Sequence, residues 1–355
     1  MEMVFIELLK IVIVIGAAFT VVPLLVYLER KISAGIQGRI GPNRVGPFGL
    51  LQPLADGIKF LFKEDITPTY VDRFLFFVAP VLVFFPPALV LATIPFGNVI
   101  TLNHYIGPFD FIGEVRLQIA DLNIGILFVM AILSLGVYGI AFGGWASNNK
   151  YSLLGGLRAS AQVIAYEISL GLSIIAVIMM SGTVSLREIV ERQATGNLFD
   201  WYLFQQPLAF LIFGIAAFAE NNRLPFDMPE CEAELVGGYH TEYGSMKFAL
   251  FFLGEYIAML SMSCLIVTLF LGGWSFPGIV TLKAEGSSYT LLEGFLSLAV
   301  FGAKVSAILL FYIWIRWMLP RFKWQQIMHL GWKILIPVSL ANIAISALIV
   351  VGTTA

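Results

Sequence analysis

Cysteine is almost absent from this chain. Its two cysteines, Cys231 and Cys264, stand far apart without paired spacing. That excludes a cysteine-held iron–sulfur cluster, a Cys-based zinc site and a disulfide framework. Histidine is as scarce: His104, His240 and His329 are scattered, with no i, i+4 pair to bind haem or metal. Only 12% of residues are charged, against about 25% in ordinary soluble domains. The formal net charge of −2 excludes a generally basic nucleic-acid binder. No Gly-x-Gly-x-x-Gly and no Gly-Lys-Ser/Thr motif is present, so nucleotide-binding loops are missing as well. There is no internal repeat of the kind that marks inverted-repeat transporters.

What is abundant is apolar surface. Of 355 residues, 59% are hydrophobic, and the mean hydropathy is +0.87. Such a chain cannot cover itself with polar groups in water, which excludes a soluble globular enzyme. A membrane-crossing helix needs about 20 apolar residues. Runs of that kind predict eight spans: Val4–Leu28, Phe74–Pro95, Leu122–Trp145, Ala161–Met180, Leu208–Glu220, Phe248–Leu271, Leu291–Met318 and Leu335–Val351. The fifth is short, and the second carries Pro80, Pro86 and Pro87. Continuous Leu, Ile, Val and Phe runs exclude a membrane barrel, whose strands alternate. The expected fold is therefore an all-α integral membrane protein, one polytopic domain over residues 1–355 with large loops at about 29–73 and 221–247. The N-terminus lacks a basic segment before its long apolar run, so no cleavable signal peptide is expected.

Lys and Arg concentrate in the loops around 29–73, 146–160, 221–247 and 316–333. The other side holds only Arg116, Arg187, Arg192 and Lys283. The positive-inside rule then places those four loops in the cytoplasm and both termini on the non-cytoplasmic side. Within the first loop, Arg39–Gly49 packs glycine and proline so densely that its backbone must be irregular and tightly turning. Leu51, Leu54, Ile58 and Leu61 follow at helical spacing with Asp56, Lys59 and Lys63 opposite, predicting an amphipathic helix in the membrane interface.

The chemical centre is the loop Glu220–Glu242. Glu220, Asp227, Glu230, Glu232, Glu234 and Glu242 share Arg223 as their loop's arginine, interleaved with Leu224, Phe226, Met228, Leu235 and Val236. That interleaving suits partial burial better than a freely solvated acidic loop. Carboxylates crowded in a low dielectric cannot all ionise, so such a loop is suited to taking up and releasing protons. Glu167, Glu255 and Lys304 fall inside predicted spans, where an ionisable residue must be paired or line a wet path. Ser160, Gln162, Ser169 and Ser173 give the Glu167 segment a polar stripe. A chain of carboxyls, tyrosines and trapped water is what proton transfer requires; binding helices together is the plainer alternative.

Several long motifs resemble one family. They are Leu28-Glu-Arg-Lys-Ile, the run from Arg39 to Lys59, and Gly144-Trp-Ala-Ser-Asn-Asn-Lys-Tyr-Ser-Leu-Leu-Gly-Gly-Leu-Arg-Ala-Ser-Ala-Gln. Arg223-Leu-Pro-Phe-Asp, Glu234-Leu-Val-Gly-Gly-Tyr-His-Thr-Glu-Tyr and Lys247-Phe-Ala-Leu-Phe-Phe-Leu-Gly-Glu-Tyr continue them. Over essentially its whole length the chain resembles the H-subunit family of bacterial NADH–quinone oxidoreductase, respiratory complex I, whose mitochondrial counterpart is NADH dehydrogenase subunit 1. The family usually reads Tyr-Asp-Gln near the last loop, where this chain reads Trp324-Gln325-Gln326, so no carboxylate role carries over there.

The resemblance implies an eight-helix subunit of a redox-driven proton pump in the inner membrane, not catalytic alone, at the junction of the hydrophilic and membrane arms. It implies quinone (ubiquinone, menaquinone or plastoquinone) as substrate, with NADH, flavin mononucleotide and iron–sulfur clusters on partner subunits. By position, Arg30, Arg39, Asp56, Phe226 and Glu230 would line the quinone passage. Glu167, Glu220, Glu232, Glu234 and Glu255, with Asp227 as gateway, would form the proton relay. The competing readings are the homologous subunit of a membrane-bound hydrogenase or ferredoxin-fed complex, an ion carrier working alone, and a structural anchor for the hydrophilic arm.

Overall fold

Helix α1, Glu2–Ile36, begins the bundle and runs on beyond the expected end at Leu28. Its 35 residues span about 52 Å at 1.5 Å per residue, so its last turns carry Glu29, Arg30 and Lys31 out of the hydrocarbon layer. The computed structural model describes residues 2–106, 109–228, 235–280 and 290–354. Glu230, Glu232 and Glu234, three of the predicted site residues, lie outside the described residues. Among those described, seven helices are long and apolar enough to cross a membrane. The expected fifth span is the shorter helix Pro207–Glu220.

The Arg39–Gly49 segment is irregular, as its composition predicts. Gly49 has φ +82°, and a Cβ there would lie 2.5 Å from the carbonyl of Pro42, so only glycine closes this turn. Helix α1 holds the loop in place: the Tyr27 hydroxyl donates to Phe48 O at 2.9 Å, and Lys31 Nζ donates to Pro42 O at 2.9 Å. Helix α2, Gln52–Phe62, is the amphipathic helix. Leu54, Ile58 and Leu61 are exposed on its apolar face, the arrangement of a helix lying on lipid.

Helix α3, Arg73–Val90, contains Pro80, Pro86 and Pro87 and is nonetheless continuous. Proline is tolerated in membrane helices where neighbours re-satisfy the backbone. Here α4, Gly125–Ala146, and α8, Ser245–Phe270, close on α3 through glycine. A Cβ on Gly139 would lie 2.8 Å from Val83 N, and one on Gly254 3.1 Å from Val83 O.

Between α3 and α4, strands β1, Val99–Ile106, and β2, Phe109–Arg116, pair antiparallel, with Val99 opposite Arg116 and Ile106 opposite Phe109. Reading only for long apolar runs misses this hairpin, because each strand is only eight residues long.

The largest departure from expectation is α5, Lys150–Ser181. Its first three turns occupy what the hydropathy reading takes as a loop over 146–160. Asn149 caps it by accepting from Tyr151 N at 3.0 Å. Small residues let these turns pack instead of dangling: a Cβ on Gly144 would lie 2.6 Å from Ser152 O, and one on Gly155 2.7 Å from Gly238 Cα. Hydropathy ends the span at Ala161; packing extends it.

Helix α6, Leu186–Gln193, precedes α7, Pro207–Glu220, which starts on a proline suited to a first helical position. Helix α9, Leu291–Met318, opens with a Thr290/Glu293 capping box. Helices α10, Trp324–His329, and α11, Ile336–Thr354, are joined by a π-helical turn, Leu330–Leu335.

Candidate functional site: an arginine and carboxylate cluster

The end of α1 places Glu29 on the same stripe as the buried Val22 and Leu25, seven and four residues earlier. Its carboxylate is therefore turned into the bundle. Three groups converge on it. Arg223 Nη1 donates to Glu29 Oε1 at 3.2 Å and Oε2 at 3.3 Å, and the Tyr256 hydroxyl donates to Oε2 at 2.6 Å. Arg316, arriving from α9, pairs with Glu29 as well. Arg223 also reaches Glu255, its Nε 2.5 Å from Oε1, and its guanidinium lies 4.3 Å over the Tyr256 ring. Charges taken from water survive only when so paired and hydrogen-bonded.

The expectation that Arg223 serves the carboxylates of its own loop is corrected here. Arg223 serves Glu29 of α1 and Glu255 of α8, while Asp227 pairs with Arg321 at 2.7 Å. Glu242 accepts from Tyr70 at 2.9 Å and Asn149 Nδ2 at 2.7 Å. Sequence neighbours compete poorly for one another because a tight turn points them apart.

That turn, 221–228, is held by Gln162 of α5, whose Nε2 donates to Ala219 O at 3.0 Å and Phe226 O at 2.9 Å. Phe226 is buried, its ring 5.4 Å from Tyr166 and 5.5 Å from Phe322. Phe322 N donates to Pro225 O at 3.1 Å, tying the last loop to this one.

Glu220, Asn221, Asn222 and Glu255 line one cavity of about 70 Å³, walled by Val83, Leu133 and Val163. A single water requires about 10–15 Å³ measured this way, so the cavity has room for several. Glu220 Oε2 is buried and finds no hydrogen-bond partner among the described residues. Glu167 of α5 lies within Coulomb reach of Glu220. Glu220 and Glu255 thus share one cavity, and Arg223 links Glu255 to Glu29.

The predicted passage residues are placed less uniformly. Arg30 pairs with Asp56, joining α1 to α2. Arg39 is exposed at the start of the glycine-rich loop. Lys304, expected to be paired or to line a wet path, is a helix-end partner: Nζ donates to the carbonyls of Leu271 at 2.6 Å, Gly273 at 3.0 Å and Ser275 at 2.6 Å. A cation at a helix C-terminus is electrostatically favoured.

Glu29, Arg316 and Arg321 are the members that site prediction from sequence missed. A signal existed for two of them. Glu29 continues the buried α1 stripe, and Arg316 continues that of Leu309 and Tyr312 on α9.

His240 closes the turn Gly238–His240, its ring 5.1 Å from Tyr239 and 5.3 Å from Phe248. Burial lowers its pKa from 6.5 to about 4. The folded turn therefore excludes a proton that the opened turn takes up. The stability this contributes is present above pH 6.5 and is lost as pH falls towards about 4, up to about 3 kcal/mol. Hydrogen exchange of residues 235–243 in vesicles is expected to accelerate over that window, and His240→Gln to flatten the dependence. Equal pH dependence in both would refute the assignment.

The comparisons with known proteins bear on the same chain. The family described as NADH dehydrogenase matches residues 9–347. The chain is 48% identical to the NADH-quinone oxidoreductase H subunit numbered 2 in Koribacter versatilis, over 97% of each chain. It is 46% identical to the H subunit numbered 1 in Cytophaga hutchinsonii, over 96% of each. The H subunit of Flavobacterium johnsoniae is 46% identical over 99% of this chain and 97% of that one. The chain belongs to the H-subunit family of NADH–quinone oxidoreductase. As a member of that family it is a multi-pass membrane subunit of complex I, part of a multisubunit enzyme and not catalytic alone. The family's reaction makes quinone the substrate class.

Proposed function

We propose that this subunit shapes the quinone's access to the complex and carries the first carboxylates of its proton path. The observation that carries this reading is the series of titratable groups from Glu29 through Arg223 and Glu255 to the cavity shared with Glu220, with Glu167 beyond it. Purely structural ion pairs need no cavity with room for water between carboxylates. A proton path does, since each hop needs donor and acceptor in hydrogen-bond reach.

In this reading Arg30, Arg39, Asp56, Phe226 and Glu230 line the quinone passage. The amphipathic α2 lies at its lipid opening. Asp227, paired with Arg321, is the gateway; Glu232 and Glu234 belong with the relay. Negative charge formed when the quinone is reduced attracts Arg223 and Arg316 away from Glu29, or protons towards it. Either shift changes the balance of charge at Glu255 and Glu220, which is the differential interaction that coupling requires. Electrons arrive from flavin and iron–sulfur clusters on partner subunits of the hydrophilic arm, and the onward proton path continues into the membrane arm. Both termini face the non-cytoplasmic side of a bacterial inner membrane, in keeping with the lysine and arginine distribution.

The test separates charge from shape at Glu167. Glu167→Asp keeps a titratable group one methylene shorter and is expected to retain part of the quinone-linked proton pumping. Glu167→Gln keeps size and hydrogen bonding but carries no proton, and is expected to lose at least about tenfold in turnover, about 1.4 kcal/mol of barrier. Pumping in membrane vesicles, with assembly checked on native gels, reads the difference. Should Gln serve as well as Asp, Glu167 only packs helices.

A further inference from the structure

The cluster occupies one end of the bundle. At the other end, beside the β-hairpin, α1, α8 and α9 leave an apolar cleft of about 560 Å³ that the proposed function does not use. That is within the roughly 300–1,000 Å³ of pockets that enclose small ligands. Its floor is made of small side chains, Ala17 and Ala18 on α1 and Gly302 on α9, and Phe295 forms an exposed wall. A Cβ on Gly302 would meet nothing within 4 Å.

At its mouth the cleft shares Lys10, Gln118 and Ile119 with a second, polar pocket of about 290 Å³. The polar pocket is lined by two cations and two carboxylates, arranged as the pairs Lys10–Glu7 and Arg116–Asp121, each 2.6 Å apart. Lys10 is oriented there by the Arg116 and Gln118 carbonyls, at 3.3 and 3.1 Å.

We propose that this two-part site holds one zwitterionic phospholipid with a primary ammonium headgroup, such as phosphatidylethanolamine. The phosphate lies against Lys10 and Arg116, the ammonium donates hydrogen bonds to Glu7 and Asp121, and one acyl chain fills the cleft. Depth and charge choose this occupant. Along α1 the cleft runs from Lys10 to Val21, about 17 Å at 1.5 Å per residue. That is roughly half of a hydrocarbon core about 30 Å thick, so it matches one leaflet's chain and is too short for a partner subunit's spanning helix. A mouth with equal numbers of cations and carboxylates gives a net anionic headgroup no net attraction and leaves Glu7 and Asp121 without a cationic partner on the lipid. An uncharged quinone ring leaves both ion pairs unused.

The experiment uses the whole complex reconstituted in nanodiscs with lipids carrying a diazirine at the acyl-chain end. Phosphatidylethanolamine is expected to label α1 and α9 peptides, ahead of phosphatidylglycerol and phosphatidylcholine. Gly302→Phe fills the cleft and is expected to reduce that labelling about tenfold, the factor for about two methylenes losing burial. Gly16→Phe, on an exposed and open position of α1 outside the cleft, is expected to leave it unchanged. Asp121→Asn provides an independent reading. Its ion pair with Arg116 is exposed and contributes little to folding, and the preference for phosphatidylethanolamine over phosphatidylcholine is expected to vanish with it. Equal labelling by all three lipids in the unaltered complex overturns the proposal. So does protection by excess long-chain quinone, or undiminished labelling in both Gly302→Phe and Asp121→Asn.

Discussion

Arg223→Met is expected to destabilise the subunit by about 3–5 kcal/mol, the cost of leaving a buried carboxylate without its cation. Arg223 holds Glu29 and Glu255 together across α1 and α8, and both carboxylates are largely shielded from solvent. Glu29 keeps Arg316 and Tyr256 when Arg223 is removed. Glu255 loses the cation beside it, so the damage concentrates there. Adding Glu255→Gln to Arg223→Met is therefore expected to restore assembly without restoring quinone-linked pumping. A double-mutant cycle on thermal stability in detergent isolates the pair's coupling. If Arg223→Met alone assembles with unaltered stability, the cluster is not what joins α1 to α8.

Glu220→Gln is expected to leave assembly intact and to lower quinone-dependent turnover at least about tenfold, about 1.4 kcal/mol of barrier. The expected contrast with Arg223 follows from what each group touches. Glu220 Oε2 has no hydrogen-bond partner among the described residues, so replacing it by an amide breaks no described bond at that atom. Glu220 itself lines the cavity that Glu255 also lines. A buried carboxyl beside water-sized space contributes little as packing and much as a proton acceptor. NADH oxidation by a water-soluble acceptor serves as the control, because the proposed function leaves electron input to partner subunits. Normal pumping by Glu220→Gln would remove Glu220 from the path. An assembly defect would favour the anchoring role over the relay.

The two expectations divide the cluster into a part that is tightly ion-paired and a part that borders the cavity. Arg223 and Tyr256 both bond Glu29, Arg223 also pairs with Glu255, and Arg316 pairs with Glu29. Glu220 lines the cavity with one carboxylate oxygen unbonded among the described residues, and Glu167 acts on it electrostatically. This division is visible only once the helices are packed. In the linear chain all of these residues are simply charges near the ends of apolar runs.

The chain's own order of residues determined a good deal. Membrane insertion, the apolar cores of the seven long spans among the described residues and the short Pro207–Glu220 helix follow from hydropathy, which is a local sum over about 20 residues. The amphipathic α2 and the irregular Arg39–Gly49 turn follow from helical spacing and from glycine's tolerance of positive φ, again local properties. The family is legible in contiguous motifs. Tertiary structure alone decided which charges meet. Glu29 finds Arg223 across 194 positions in the chain and Tyr256 across 227, and no periodicity encodes such a pairing. It also decided that Lys304 closes a helix end, that Asp227 belongs to Arg321, and that residues 150–160 are helix where hydropathy expects a loop. The physical reason is common to all of these. Burial of apolar residues is non-directional and can be read along the chain, whereas a buried charge must find a particular partner, and glycine contacts such as Gly139 on Val83 and Gly144 on Ser152 set how closely the helices bring those partners together.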